Sequence, residues 1–99
     1  MKCSGYNVSP DEVEKLIHRH PSVAEVAVVG VPDAKRGESP KAFVVLLPQH
    51  RGNITENEVL SWCKQAMDDY MCPSSIEFVD SLPKSATGKV LRRLLKNRP

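Results

Sequence analysis

Residues 23–31, V-A-E-V-A-V-V-G-V, constrain this chain more than any other stretch. A run this short and this rich in β-branched side chains reads as a buried strand, because valine loses rotamer freedom against a preceding helical turn but packs well on a pleated surface. Pro32 and Asp33 turn the chain out of it, and residues 41–47, K-A-F-V-V-L-L, make a second strand. The segment between them, residues 32–40, reads as a loop with a polar tip, Lys35-Arg36-Gly37-Glu38, that the hydrophobic pattern does not require.

Helices flank these strands. Ser9-Pro10-Asp11-Glu12 is a helix start, with Ser9 as N-cap, Pro10 in the first helical position and Glu12 closing a capping box. Val13, Leu16, Ile17 and His20 then share one face, Pro21 marks the end, and His20 is expected to pack at the edge of that face. Thr55-Glu56-Asn57-Glu58 spells a second capping box, followed at helical spacing by Val59, Trp62, Cys63, Ala66, Met67 and Tyr70, a stripe that reads as core. Residues 76–79 give a further short strand. The order strand, helix, strand, strand, helix, strand, terminal helix implies an α+β fold in which a small mixed β-sheet packs with about three helices. Ninety-nine residues suit one such domain, able to bury roughly two thirds of its unfolded surface.

Residues 82–90, L-P-K-S-A-T-G-K-V, place Lys89 at a polar turn just before the terminal helix. Pro83 favours an extended entry, while Ser85, Thr87 and Gly88 supply turn chemistry. Beyond the turn, Val90, Leu91, Leu94 and Leu95 form an apolar stripe that should anchor it, with Lys89, Arg92, Arg93 and Lys96 on another face. A phosphate-cradling P-loop would need glycine where Pro83 stands and Ser or Thr where Val90 stands. An autonomous nucleotide triphosphatase is therefore disfavoured, and Lys89 would act as a lone mobile cation.

The net charge of +2 hides an uneven layout: residues 1–80 hold eight basic residues against all twelve acids, while residues 81–99 hold six basic residues and no acid. Such an arm could meet nucleic acid, an anionic membrane or a phosphorylated small molecule. Cys3, Cys63 and Cys72 form no C-x-x-C pair, and His18, His20 and His50 are scattered, so neither a disulfide framework nor a metal site is expected. Cytoplasmic thiols and a soluble protein without a transmembrane segment are the simpler expectation.

Three signatures in order then resemble the C-terminal domain of the adenylate-forming superfamily, which includes acyl-CoA synthetases, luciferases and nonribosomal-peptide adenylation domains. Residues 2–14, K-C-S-G-Y-N-V-S-P-D-E-V-E, are similar to the family's K-x-x-G-x-x-I-x-P-x-E-I-E. Gly30-Val31-Pro32-Asp33 with Arg36-Gly37-Glu38 resembles G-x-P-D … G-E, and residues 82–89 resemble L-P-K-T-x-x-G-K. The likeness covers essentially the whole chain, residues 1–99, as a single domain excised just after the interdomain hinge, so that the pivot itself is missing.

The resemblance implies an AMP-forming acid-CoA ligase, of fatty-acyl type, as the full-length protein. A carboxylic acid attacks ATP to give an acyl adenylate and pyrophosphate, and a thiol, here coenzyme A, then displaces AMP. It implies that Lys89 is the adenylation lysine and a possible acetylation target. It also implies that Gly5 and Tyr6 line the pantetheine passage, and that Arg36 stacks on adenine unless it is simply solvated. Gly37, Lys64 and Gly88 complete the nucleotide and CoA contacts, with Lys64 reaching a CoA phosphate or remaining on a solvated helix face. The nucleotide loop, the acyl pocket and bound Mg2+ are expected in an N-terminal domain of the same chain, so the isolated fragment is expected to be inactive.

This chain departs from the family pattern in two places. Cys72-Pro73-Ser74 lacks the Lys or Arg that flanks the proline in many CoA ligases, and Asn7 stands where acetyl-CoA synthetases have arginine, which leans the likeness toward fatty-acyl or aryl ligases. Two other readings stay open. The chain could end a peptide-synthetase adenylation domain that loads a carrier protein. It could instead be a non-enzymatic basic nucleic-acid module, although its aromatic residues, Tyr6, Phe43, Trp62, Tyr70 and Phe78, all lie outside the basic arm, so no nucleic-acid partner is expected.

Overall fold

The two valine-rich runs pair with each other. In the computed structural model, which describes residues 1–96, the elements in chain order are β1 (Lys2–Cys3), β2 (Tyr6–Asn7), α1 (Pro10–Ile17), β3 (Val23–Asp33), β4 (Gly37–Leu46), α2 (Glu56–Ala66), β5 (Ser75–Phe78) and α3 (Arg92–Lys96). β3 and β4 are antiparallel from Val23↔Leu46 to Asp33↔Gly37. On the other edge of β4 lie β1, at Cys3↔Gly37, and β5, which runs parallel from Lys41↔Ser75 to Val44↔Phe78. Parallel pairing requires a crossover, and α2 supplies it.

Both faces of the sheet are covered, which is why the strands read as continuous apolar runs. Val28, Ala42, Val44 and Leu46 join Val13 and Ile17 of α1 and Val59 and Cys63 of α2 in one cluster. Ala27, Val29, Phe43 and Val45 point the other way and meet Leu82 and Leu95. The one-residue offset between Val28 and Val29, or Ala42 and Phe43, sorts neighbours onto opposite faces.

Four sequence expectations are corrected. The loop proposed for residues 32–40 is mostly strand: β3 and β4 continue to a tight turn at Ala34, Lys35 and Arg36. The Asp33 carboxylate accepts from the Lys35 and Arg36 N–H groups at 2.8 and 3.1 Å, and Gly37 takes φ +84°, so the chain turns after Asp33 rather than at Pro32. The capping box at Ser9 does not form: Ser9 is the N-cap of α1 but its side chain makes no cap bond, whereas Thr55 and Glu58 make both halves of theirs. The helical stripes are shorter than expected, since α1 stops at Ile17 and α2 at Ala66, leaving His20 and Tyr70 beyond them. In the terminal stripe Leu95 is buried but Leu94 is half exposed.

His20 is nevertheless buried, with its ring edge-on to Trp62 at 5.1 Å between centroids. Its Nδ1 accepts from the Ser22 N–H at 3.0 Å, and the Ser22 hydroxyl lies 3.1 Å from Nδ1 of His50. Carboxylates also cover backbone donors: Val28 N–H donates to Glu14 at 2.7 Å, and Phe78 N–H to Glu56 at 2.8 Å. Strand donors satisfied this way are closed to pairing with another chain.

A hairpin tip and a basic groove as the candidate functional site

Lys89 sits on a small hairpin. Pro83 and Leu91 close its base through a Leu91 N–H to Pro83 C=O bond of 2.8 Å, Lys84 bridges Val90, and Ser85 N–H donates to the Lys89 carbonyl at 2.8 Å. The tip turns at Gly88, whose φ of +85° suits glycine and whose N–H donates to the Ser85 carbonyl at 2.9 Å. The Ser85 hydroxyl accepts from the Lys89 N–H at 3.3 Å and pairs with the Thr87 hydroxyl at 2.9 Å. Lys89 therefore has a hydrogen-bonded backbone and an exposed side chain, with no ion-pair partner among the described residues. Leu82 and Val90 root the hairpin in the cluster on the Phe43 face.

The second group lies around the start of β4. Ser4 and Gly5, at φ +53° and +85°, form the two-residue turn between β1 and β2. A Cβ on Gly5 would meet nothing within 4 Å, so inside this domain the glycine answers a backbone need rather than crowding. Tyr6 is 57% exposed yet stacks on Tyr70 with centroids 4.2 Å apart and planes 20° off parallel. Ser4 N–H donates to the Arg36 carbonyl at 2.9 Å, which couples the Gly5 turn to the β3–β4 turn.

Arg36 and Lys64, far apart in sequence, line one groove of about 460 Å3 together with Leu60, Asp69, Cys72 and Pro73. Arg36 is not simply solvated: its Nη1 donates to the carbonyls of Asp69 and Cys72 at 3.1 and 2.9 Å, and its Nε lies 3.5 Å from the Asp33 carboxylate. The N–H groups of Lys35 and Arg36 hold the Asp33 carboxyl below the usual range, so it stays charged opposite that guanidinium. Lys64 is exposed on α2, and Gly37 is exposed at the foot of the turn. Burial pushes the Cys72 thiol up, against the opposing pull of Arg36 and Lys64, and burial with Cys72 nearby pushes Cys63 up to about 12. Both thiols are protonated at neutral pH and are poor nucleophiles. Among the described residues no group of three His, Cys, Asp or Glu could hold a metal ion.

Gly5, Tyr6, Arg36, Gly37 and Lys64 thus gather around the start of β4 and its neighbouring groove, whereas Gly88 and Lys89 ride a hairpin rooted on the opposite sheet face. Sequence reasoning missed Tyr70 as the partner of Tyr6, having placed it on the helical stripe; the signal was Asp68-Asp69, a polar break directly before it. It also missed that the basic arm is folded onto the acids of the body. Lys84 pairs with Glu25, and Arg92 with Asp11 and Glu14.

Residues 12–89 match the family described as AMP-binding enzyme C-terminal domain. The chain is 44% identical over 94 residues to a long-chain-fatty-acid–CoA ligase of Escherichia coli O6:H1, covering 95% of this chain and 16% of that protein. It is 44% identical over 101 residues to the human mitochondrial acyl-coenzyme A synthetase ACSM1, covering 99% and 18%. Its fold superposes on a crystal structure of ATP-bound MatB from Rhodopseudomonas palustris with a TM-score of 0.85 at 36% identity, covering 97% of this chain and 19% of that one. The chain therefore spans less than a fifth of the length of these relatives. With the fold, the motif order and the matched residues in agreement, the chain belongs to the AMP-binding enzyme C-terminal domain family.

Proposed function

We propose that this domain is the mobile C-terminal lid of an ATP-dependent acid-CoA ligase of fatty-acyl type, and that it serves the two half reactions with two different surfaces. The observation that carries the reading is Lys89, an exposed ammonium without an ion-pair partner among the described residues, at the end of a hairpin whose backbone is internally bonded. In the first half reaction a carboxylate oxygen attacks the α-phosphorus of ATP and pyrophosphate leaves with the bonding pair. Negative charge gathers between carboxylate and phosphate oxygens as the bond forms, and an ammonium in a water-poor cleft stabilises that charge far better than one in bulk water.

In the second half reaction the thiol of coenzyme A loses its proton, its sulfur attacks the acyl carbonyl, and AMP leaves. The surface around Gly5, Tyr6, Arg36, Gly37 and Lys64 is the one assigned to CoA. It offers an open turn, an exposed aromatic ring and two cations on one groove, which suits a ligand with a narrow arm and phosphates. The Escherichia coli and human relatives are named as a fatty-acid–CoA ligase and an acyl-coenzyme A synthetase, which supports CoA over a carrier-protein thiol. The acyl pocket, the nucleotide loop and magnesium are assigned to an N-terminal domain of the same chain. The cytoplasm is the compartment we propose, although the human relative is named as mitochondrial.

Within the full-length ligase, Lys89→Ala is expected to lower acid-dependent ATP–pyrophosphate exchange by about a hundredfold to a thousandfold, the scale for losing one preorganised electrostatic contact. Thioester formation from supplied acyl adenylate should be largely retained, because that step uses the other surface. Acetylation of Lys89 should mimic the substitution by removing the charge. Equal loss in both half reactions would refute the division of labour.

A further inference from the structure

Arg92, the first residue of α3, stands just beyond the hairpin that carries Lys89, and it is the most heavily bonded cation in the described structure. Its Nη2 lies 2.6 Å from the Asp11 carboxylate and 2.8 and 3.0 Å from the two oxygens of Glu14, while its Nε donates to Glu14 at 3.1 Å. Glu14 is fixed from the far side as well, by the Val28 N–H of β3 at 2.7 Å. A continuous polar chain therefore runs from the foot of the hairpin through α1 to the sheet. On the hairpin's other leg, Lys84 pairs with Glu25 of β3.

Close packing does not do the same work there. A groove of about 520 Å3 lies between α1 and the hairpin foot, lined by Asp11 and Glu14 of α1, Val26 of β3, and Leu82 and Val90 of the hairpin segment. Leu82, Val90 and Leu95 hold the segment on the sheet, but apolar contact is non-directional, whereas a guanidinium fork fixes orientation. The five described residues of α3 are too few to hold a direction as an isolated helix. Glu14 is largely buried, so its bonds to Arg92 are the least screened of the set.

We infer that Arg92, anchored by Glu14, is a positioning residue for Lys89: the ion cluster at the hairpin foot sets the direction in which the lysine ammonium is presented. This rests on the role of Lys89 proposed above. Misplacement by about 1 Å can cost a hundredfold in rate, so loosening the foot should be visible in adenylation without any loss of substrate contacts.

The test uses the full-length ligase with Arg92→Gln, Arg92→Lys and Lys89→Ala in parallel. Arg92→Gln should lower kcat for ATP–pyrophosphate exchange about tenfold to a hundredfold, with KM for acid and ATP unchanged and with thioester formation from supplied acyl adenylate intact. Arg92→Lys should recover part of the loss, since it restores the charge but not the fork. Backbone hydrogen exchange across residues 83–91 should accelerate in Arg92→Gln. If Arg92→Gln does not fold, Glu14→Gln, which keeps an oxygen for the Val28 N–H, carries the same expectation. Wild-type exchange activity and unchanged hydrogen exchange in Arg92→Gln, or an equal fall in both half reactions, would overturn the inference while an inactive Lys89→Ala left the lysine's role standing. An active Lys89→Ala would remove both.

Discussion

His20 shows how far a single side chain depends on its neighbours. The spacing after Val13 puts it on a helical face, but it lies beyond α1, and its burial comes from Trp62, forty-two residues away, and from a Ser22 N–H aimed at Nδ1. Burial pulls its pKa below the ordinary 6.5, and nearby His50 pulls it the same way. The folded state therefore holds His20 neutral where the unfolded chain would bind a proton. Its contribution to stability is complete above about pH 6.5 and is lost as pH falls toward the lowered folded value. Urea unfolding of the 99-residue chain between pH 7.5 and 5 should show this fall, and His20→Gln should flatten it; an unchanged pH dependence in the variant would show that another group is responsible. Lys89 is the opposite case, legible from its turn alone because an exposed tip residue depends on few long-range contacts.

At the scale of elements, the same S/T-x-x-E spelling occurs before both long helices and only one copy forms. Thr55 accepts from Glu58 N–H at 3.1 Å and Glu58 reaches back to Thr55 N–H at 3.2 Å. Ser9 instead uses its backbone carbonyl, taking the Glu12 and Val13 N–H groups at 3.1 and 3.3 Å. Thr55→Ala should thus cost about 1 kcal/mol in thermal or urea unfolding, and Ser9→Ala only a few tenths. Equal costs would mean that Ser9 caps in solution. The β3–β4 hairpin carries a related lesson. Pro32 reads as turning the chain out of the strand, but both it and Pro40 lie within strands, because a strand can carry proline where no ladder bond is needed.

At the scale of the molecule, the basic arm that looked free in the sequence is partly tied down. Lys84 and Arg92 are tied to acids of the body, which leaves Lys89, Arg93 and Lys96 as the cations of that segment without an ion-pair partner among the described residues. This weakens the nucleic-acid reading, since counterion release needs free charge. It also sharpens what the domain lacks. One lysine without an oriented acid and ATP has no positioning term, so the 99-residue chain alone should show no acid-dependent ATP–pyrophosphate exchange. Detectable exchange by the purified domain would contradict the assignment of the remaining site to another domain.

The sequence by itself determined the order of the elements from α1 onward, the buried character of the two valine runs and the identity of the exposed lysine, because each rests on local periodicity or turn chemistry; the one strand it placed before α1 is a two-stranded hairpin, β1 and β2. Tertiary structure alone decided which residues meet: Tyr6 with Tyr70, Arg36 with the Asp69 and Cys72 carbonyls and beside Lys64, and Arg92 with Glu14. Those pairings span many residues, and their directions are set by how the helices settle on a twisted sheet, which no local pattern encodes.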